Sequence, residues 1–185
     1  MYKIIFTVLL SIICFSNLNA EIIKKIDISG NIRVSNETIK IYGDIKLNSD
    51  YNEQKLNTII NNLYSTNFFE DVKIELSNNV LKIYLVEYPV INNLFILGEP
   101  KKAFEEQIRK IISLKNKDSF IKSNLSADID KIKTLYSSIG YNFTTIETKV
   151  KNIDKNNIDL IYKIDKGEVS KISKIFFTGD KKIRE

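Results

Sequence analysis

Lys25-Ile26-Asp27-Ile28-Ser29-Gly30-Asn31, with Ile23 just ahead of it, decides the fold, because its pattern returns further along the chain. An apolar branched or aromatic residue stands seven, four and two positions before a glycine: Ile23, Ile26, Ile28, then Gly30. The same spacing holds for Ile91, Leu94, Ile96 and Gly98, and again for Ile172, Ile175, Phe177 and Gly179. Self-similarity of this kind marks a string of similar modules. A string of small modules with few reactive side chains points to binding and scaffolding rather than to catalysis.

Reading outward from the first copy, residues 22–29 alternate as a strand and Gly30-Asn31 turns the chain. Ser35 is placed as a helix N-cap, with Val34 and Ile39 as a hydrophobic staple and Gly43 as the stop. A second helix is expected from near Asp50, with Glu53 as its capping-box partner. Leu56, Ile59, Ile60, Leu63 and Tyr64 form its apolar stripe, and Asn67 ends it. Val72, Ile74 and Leu76, then Leu81, Ile83 and Leu85, alternate on either side of Asn78-Asn79 as a hairpin.

The second copy repeats that order. A strand at 90–97 leads to a helix with Phe104, Ile108, Ile111 and Ile112 on one face. After a polar loop, Leu125, Ile129, Ile132, Tyr136 and Ile139 line a longer helix that Gly140 closes. Residues 142–150 and 158–164 form the hairpin. Each module therefore reads strand–helix–helix–strand–strand, a two-layer α+β unit. The expected domains are 21–89, 90–167 and the start of a third module at 168–185.

Residues 1–20 differ from the rest. Lys3 is followed by a nearly unbroken apolar run over 4–15 and a small residue, Ala20, which is the layout of a secretory signal peptide. The run is shorter than the roughly 20 residues a spanning helix needs. Cys14, the single cysteine, lies within it, so a mature chain would hold no thiol and no disulfide. Ile13 stands where a lipoprotein signal wants a small residue.

The chain of 185 residues is 43% hydrophobic and 28% charged, with 28 Lys+Arg against 23 Asp+Glu, ordinary globular composition. No basic block marks a nucleic-acid groove, so no nucleic-acid partner is expected. With no histidine and no tryptophan, zinc, haem and Cys–His chemistry are excluded, and no cofactor or metal is expected. Composition leaves room only for a Ser–Lys or paired-carboxylate site. Glu105-Glu106 and Asp128 with Asp130 read as solvated helix faces. The Asn-x-Ser/Thr matches at Asn36, Asn124 and Asn142 are unsurprising in so asparagine-rich a chain.

Ile26-Asp27-Ile28-Ser29-Gly30-Asn31-Ile32-Arg33, Leu63-Tyr64, Phe68-Phe69-Glu70-Asp71-Val72 and Val86-Glu87-Tyr88-Pro89 resemble the POTRA modules of outer-membrane assembly factors. Tyr136 through Gly140-Tyr141, and Lys166-Gly167-Glu168 leading to the third copy, resemble them too. The resemblance implies tandem modules, each a three-stranded mixed sheet covered on one face by two helices. It implies an exported chain at the periplasmic face of the outer membrane that guides unfolded outer-membrane proteins, not an enzyme. It further implies partner lipoproteins docking on later modules, and an outer-membrane barrel beyond this sequence, which is then a fragment. A two-partner secretion transporter or an autotransporter assembly factor would carry similar modules. KH modules share the strand order but need a GxxG loop, absent from 44–48 and 115–118.

In this family the strand after the second helix lies at a sheet edge, here 71–77 and 142–150. The candidate client-binding residues are then Val72, Ile74 and Leu76, and Thr144, Ile146, Thr148 and Val150. Two readings stand for these edges: an extended client strand adds to them through main-chain hydrogen bonds, or charges such as Lys73 and Glu75 shield them.

Overall fold

A computed structural model describes residues 21–176. The leading segment with Cys14, and Phe177 and Gly179 of the third copy, lie outside the described residues. Two compact units divide between Tyr88 and Pro89.

The first unit runs β1 (Glu21–Ile22), β2 (Lys25–Ser29), α1 (Asn36–Tyr42), β3 (Asp50–Tyr51), α2 (Glu53–Ser65), β4 (Phe69–Ser77) and β5 (Val80–Glu87). Its three-stranded sheet has the order β2-β5-β4, with β5 parallel to β2 and antiparallel to β4. The second unit runs β6 (Val90–Leu97), α3 (Lys102–Ile111), α4 (Lys122–Ser137), β7 (Thr145–Asn152) and β8 (Asn157–Asp165). Its sheet order is β6-β8-β7, again one parallel and one antiparallel pair. A parallel pair needs a long crossover, which the two helices and the edge strand supply in each unit.

The helices cover one face. Ile39, Ile59 and Leu63 meet Leu81, Ile83 and Leu85 in the first core, while Tyr84 and Val86 on the opposite face of β5 stay exposed. Ile108, Ile132 and Tyr136 meet Ile158, Leu160, Tyr162 and Ile164 in the second. This α+β architecture is the one the sequence pattern predicts.

The spacing of the repeat has a structural cause. Strict alternation back from the glycine would put its first member six positions away, not seven. The extra residue breaks residues 22–29 into β1 and β2, where the amides of Lys24 and Lys25 both donate to the Asn79 carbonyl at 2.8 and 3.3 Å. In the second unit β6 shifts register between Ile91 and Asn93. The irregularity turns Ile23 and Ile91 into the cores, where both are fully buried. Each also holds the loop between the helices. Ile23 bonds Ser49 and Asn48 at 3.2 and 2.8 Å, and Ile91 bonds Asp118 and Lys117 at 2.9 and 2.7 Å.

Several boundaries differ from expectation. α2 is capped by Asn52, whose Oδ1 accepts from the Lys55 amide at 2.9 Å, and Asp50 instead belongs to β3. β3 exists because Tyr51 is buried and its hydroxyl bonds the Lys46 amide and carbonyl at 2.8 and 2.9 Å, folding the loop over the core. α4 ends at Ser137, ahead of Gly140. β7 starts at Thr145, after a turn at Asn142 and Phe143. Residues 168–176, the start of the expected third module, carry no helix or strand, and Ile172, Ile175 and Phe176 are exposed.

Glu87 closes the first unit. Its carboxylate, 2% exposed, accepts from the amides of Ile32, Arg33 and Val34 at 2.9, 3.1 and 2.9 Å. This buried anion pins the turn after β2 to the end of β5. Replacing Glu87 with alanine leaves those donors unpaired and is expected to lower the stability of the first unit by about 2 kcal/mol. A urea titration in which the variant keeps the parent midpoint would refute this.

Candidate functional site

β4 and β7 each have one sheet neighbour, so each offers a row of main-chain groups on its free side. Val72 is buried, and Ile74 and Leu76 pack on the first core from β4. Ile146 packs on the second core from β7, Thr148 is half-buried and Val150 is exposed. Thr144 lies ahead of β7 and is buried, its hydroxyl 3.1 Å from the Tyr141 carbonyl and 3.3 Å from that of Lys166. It takes no part in the edge.

The two edges are dressed differently. The Tyr64 hydroxyl accepts from the Val72 amide at 3.1 Å and donates to Asp71 at 3.2 Å. Tyr64 is 39% exposed, so it lies over the edge and not in the core where the helical stripe places it. Lys73 and Glu75 pair at 2.8 Å, and this bond holds the ammonium above and the carboxyl below their ordinary pKa values. On β7, Glu147 bonds Lys163 at 3.2 Å, and among the described residues Lys149 and Lys151 have no carboxylate partner. An open groove lined by Lys133, Thr134, Ser137, Tyr141 and Asn142 runs between the end of α4 and the start of β7.

Asp128 and the phenols of Tyr136 and Tyr162 are buried in the second unit. Asp128 is fully buried, a correction to its reading as a solvated helix charge. It accepts from the Ser113 and Leu114 amides at 2.6 and 2.9 Å and lies 3.2 Å from Lys131 Nζ. Burial, then the Asp128 charge, push the Tyr162 phenol up. The available signal was spacing: Asp128, Ile132 and Tyr136 fall at successive i, i+4 positions on the inward face. Glu99 accepts from the Tyr136 hydroxyl at 2.7 Å and from the Lys101 amide at 2.9 Å.

Burial pushes the Glu99 carboxyl up, but the Tyr136 hydroxyl, the Lys101 amide and the nearby lysines bring it below its ordinary 4.5. Because the folded carboxyl ionises at lower pH than an unfolded one, its stabilisation is present above 4.5 and is lost as pH falls through the folded value. Thermal melting of the second unit is therefore expected to drop with pH below that point. The drop should shrink in Tyr136→Phe, and an equal drop in both proteins would count against the assignment.

Among the described residues, no group of three or more carboxylates, thiols or imidazoles converges to hold a metal. No helix of the described residues is long and apolar enough to cross a membrane.

The POTRA family, described as a surface antigen variable number repeat, matches residues 21–87 and again 89–167. The chain belongs to this family. As a POTRA chain it is similar to the outer membrane protein assembly factor BamA of Neisseria meningitidis serogroup B, 30% identical over 161 residues and 85% of this chain. It is also similar to BamA of Neorickettsia risticii, 28% identical over 171 residues and 92% of this chain. The chain spans only 20% and 22% of those two relatives. Its fold is that of the N-terminal domain of Omp85 from Thermosynechococcus elongatus. The two share 17% identity with a TM-score of 0.52, over 80% of this chain and 64% of the other.

Proposed function

We propose that this POTRA chain is a periplasmic scaffold of outer-membrane protein assembly, which holds unfolded barrel proteins as extended strands on the free edges of its sheets. The carrying observation is that in each unit the strand after the second helix has a single sheet neighbour. Main-chain bonding at such an edge makes little demand on client sequence, and alternating pockets along it favour strands with apolar residues at every second position. Similarity to two proteins named as outer membrane protein assembly factors supports the same reading.

In this proposal residues 1–20 direct export, 21–89 and 90–167 are the working modules, and 168–185 open a third. Partner lipoproteins and the membrane-embedded barrel lie with the rest of a longer protein. The function is one of binding, with no catalytic step.

Hydrogen exchange in the presence of a barrel protein diluted from urea tests the proposal. New protection is expected along a sheet edge. Protection confined to the helices would overturn it.

A further inference from the structure

We infer that β7 of the second unit, and not β4 of the first, is the edge that takes up an added strand, and that the strand it prefers is amphipathic with acidic side chains on its polar face. The inference rests on the strand-addition reading and goes on to assign the edge and the client chemistry.

Addition requires outward-facing amides with no other partner. The Val72 amide bonds the Tyr64 hydroxyl, so Val72 faces away from β5, and Ile74 and Leu76 share that direction by alternation. Val72 lies opposite Leu85, and Ile146 lies opposite Ile164. Leu85 and Ile164 are equivalent, because each presents its carbonyl to the repeat glycine of its own unit. The outward members of β7 are therefore Ile146, Thr148 and Val150.

The equivalent of Tyr64 cannot cap them. Tyr136 turns inward, and its hydroxyl is committed to Glu99 at 2.7 Å. It stands ten positions ahead of Ile146, whereas Tyr64 stands eight ahead of Val72. With the added length, β7 packs less closely on α4 than β4 does on α2. Among the described residues no side chain bonds the main chain of 145–152. β4 is further protected by an irregularity between Phe69 and Asp71 and by the Lys73–Glu75 pair across its outer face.

The client chemistry follows from the two faces of β7. Ile146 and Val150 meet one side of an added strand; on the other Glu147 is paired with Lys163, Lys151 lies opposite Asp159, and Lys149, opposite Ile161, has no facing carboxylate. Opposite charges on neighbouring strands attract and like charges repel. An added strand with apolar residues on the Ile146 side and carboxylates beside Lys149 matches both faces.

The test uses a capped peptide of about eight residues alternating valine and glutamate, the length of an ordinary strand. Binding is followed by amide chemical shifts on the whole protein. The largest shifts are expected at Ile146, Thr148 and Val150, and they decide the assignment in the unmodified protein. Thr148→Pro removes one outward amide and leaves the ladder to β8 intact, so affinity should fall about tenfold or more. Ile74→Pro should leave affinity unchanged. If Ile74→Pro abolishes binding and Thr148→Pro does not, the assignment to β7 is wrong and strand addition survives. Equal binding of a valine–lysine peptide would overturn the charge preference. If the peptide does not bind, or both proline variants bind like the parent, strand addition itself fails.

Discussion

Gly98→Ala is expected to remove about 4 kcal/mol from the second unit, enough to unfold much of it at moderate urea. Gly98 sits at φ +93, where an L side chain is strained, and a Cβ there would lie 1.9 Å from the Ile164 carbonyl oxygen. That oxygen belongs to the backbone of the central strand β8, so β6 must move for alanine to fit. Gly140 supplies the control. It has the same φ of +93, but a Cβ would meet only a Val169 methyl at 3.2 Å. Gly140→Ala should therefore show backbone strain alone, about 1 kcal/mol. Urea titration of both variants separates close approach from strain, and equal losses would refute the close-approach account. Gly30, at φ +88 with its Cβ position 2.0 Å from the Leu85 oxygen, is the same device in the first unit.

Asp128→Ala should cost about 3 kcal/mol, because it takes the acceptor from two amides, that of Leu114 in the interior, and hydrogen bonds to a charged group are the stronger kind. The Leu114 amide becomes a buried donor without a partner, and the loop after α3 loses its tie to α4. Asp128→Asn keeps an acceptor oxygen and should lose roughly half as much. Denaturant titration gives the size, and amide exchange gives the place. Exchange should quicken first at Ser113 and Leu114. A loss under about 1 kcal/mol, or quickened exchange elsewhere, would show that water can replace the carboxylate.

The sequence made the order of elements legible because hydrophobic period and turn chemistry are local. Asn78 and Asn79, both at positive φ, announce the first hairpin between two alternating runs. The repeat glycines were legible as punctuation, whereas their contact with Leu85 and Ile164 is a long-range fact. Asp128 was misread because a carboxylate on a helix is usually solvated, and its partners, Ser113 and Leu114, lie on another element. The difference between the two edges was illegible for a related reason. Tyr64 and Tyr136 occupy matching places in their modules, yet one ring lies over an edge and the other turns into the core. Local pattern finds the candidate edges, and tertiary geometry distinguishes them.

In each sheet the opening strand pairs only with the closing one: β2 with β5, and β6 with β8. Ile28 waits for Ile83, and Ile96 for Tyr162. A chain that emerges from its amino end can wind its helices early, since those contacts are local. It cannot seat its opening strand until the closing strand has arrived. The entropy of closing so long a loop is met in one late step, so each unit completes all at once and in chain order. As it emerges, a module of this design spends most of the time with an unpaired apolar strand, the kind of segment that the proposed binding edge would hold.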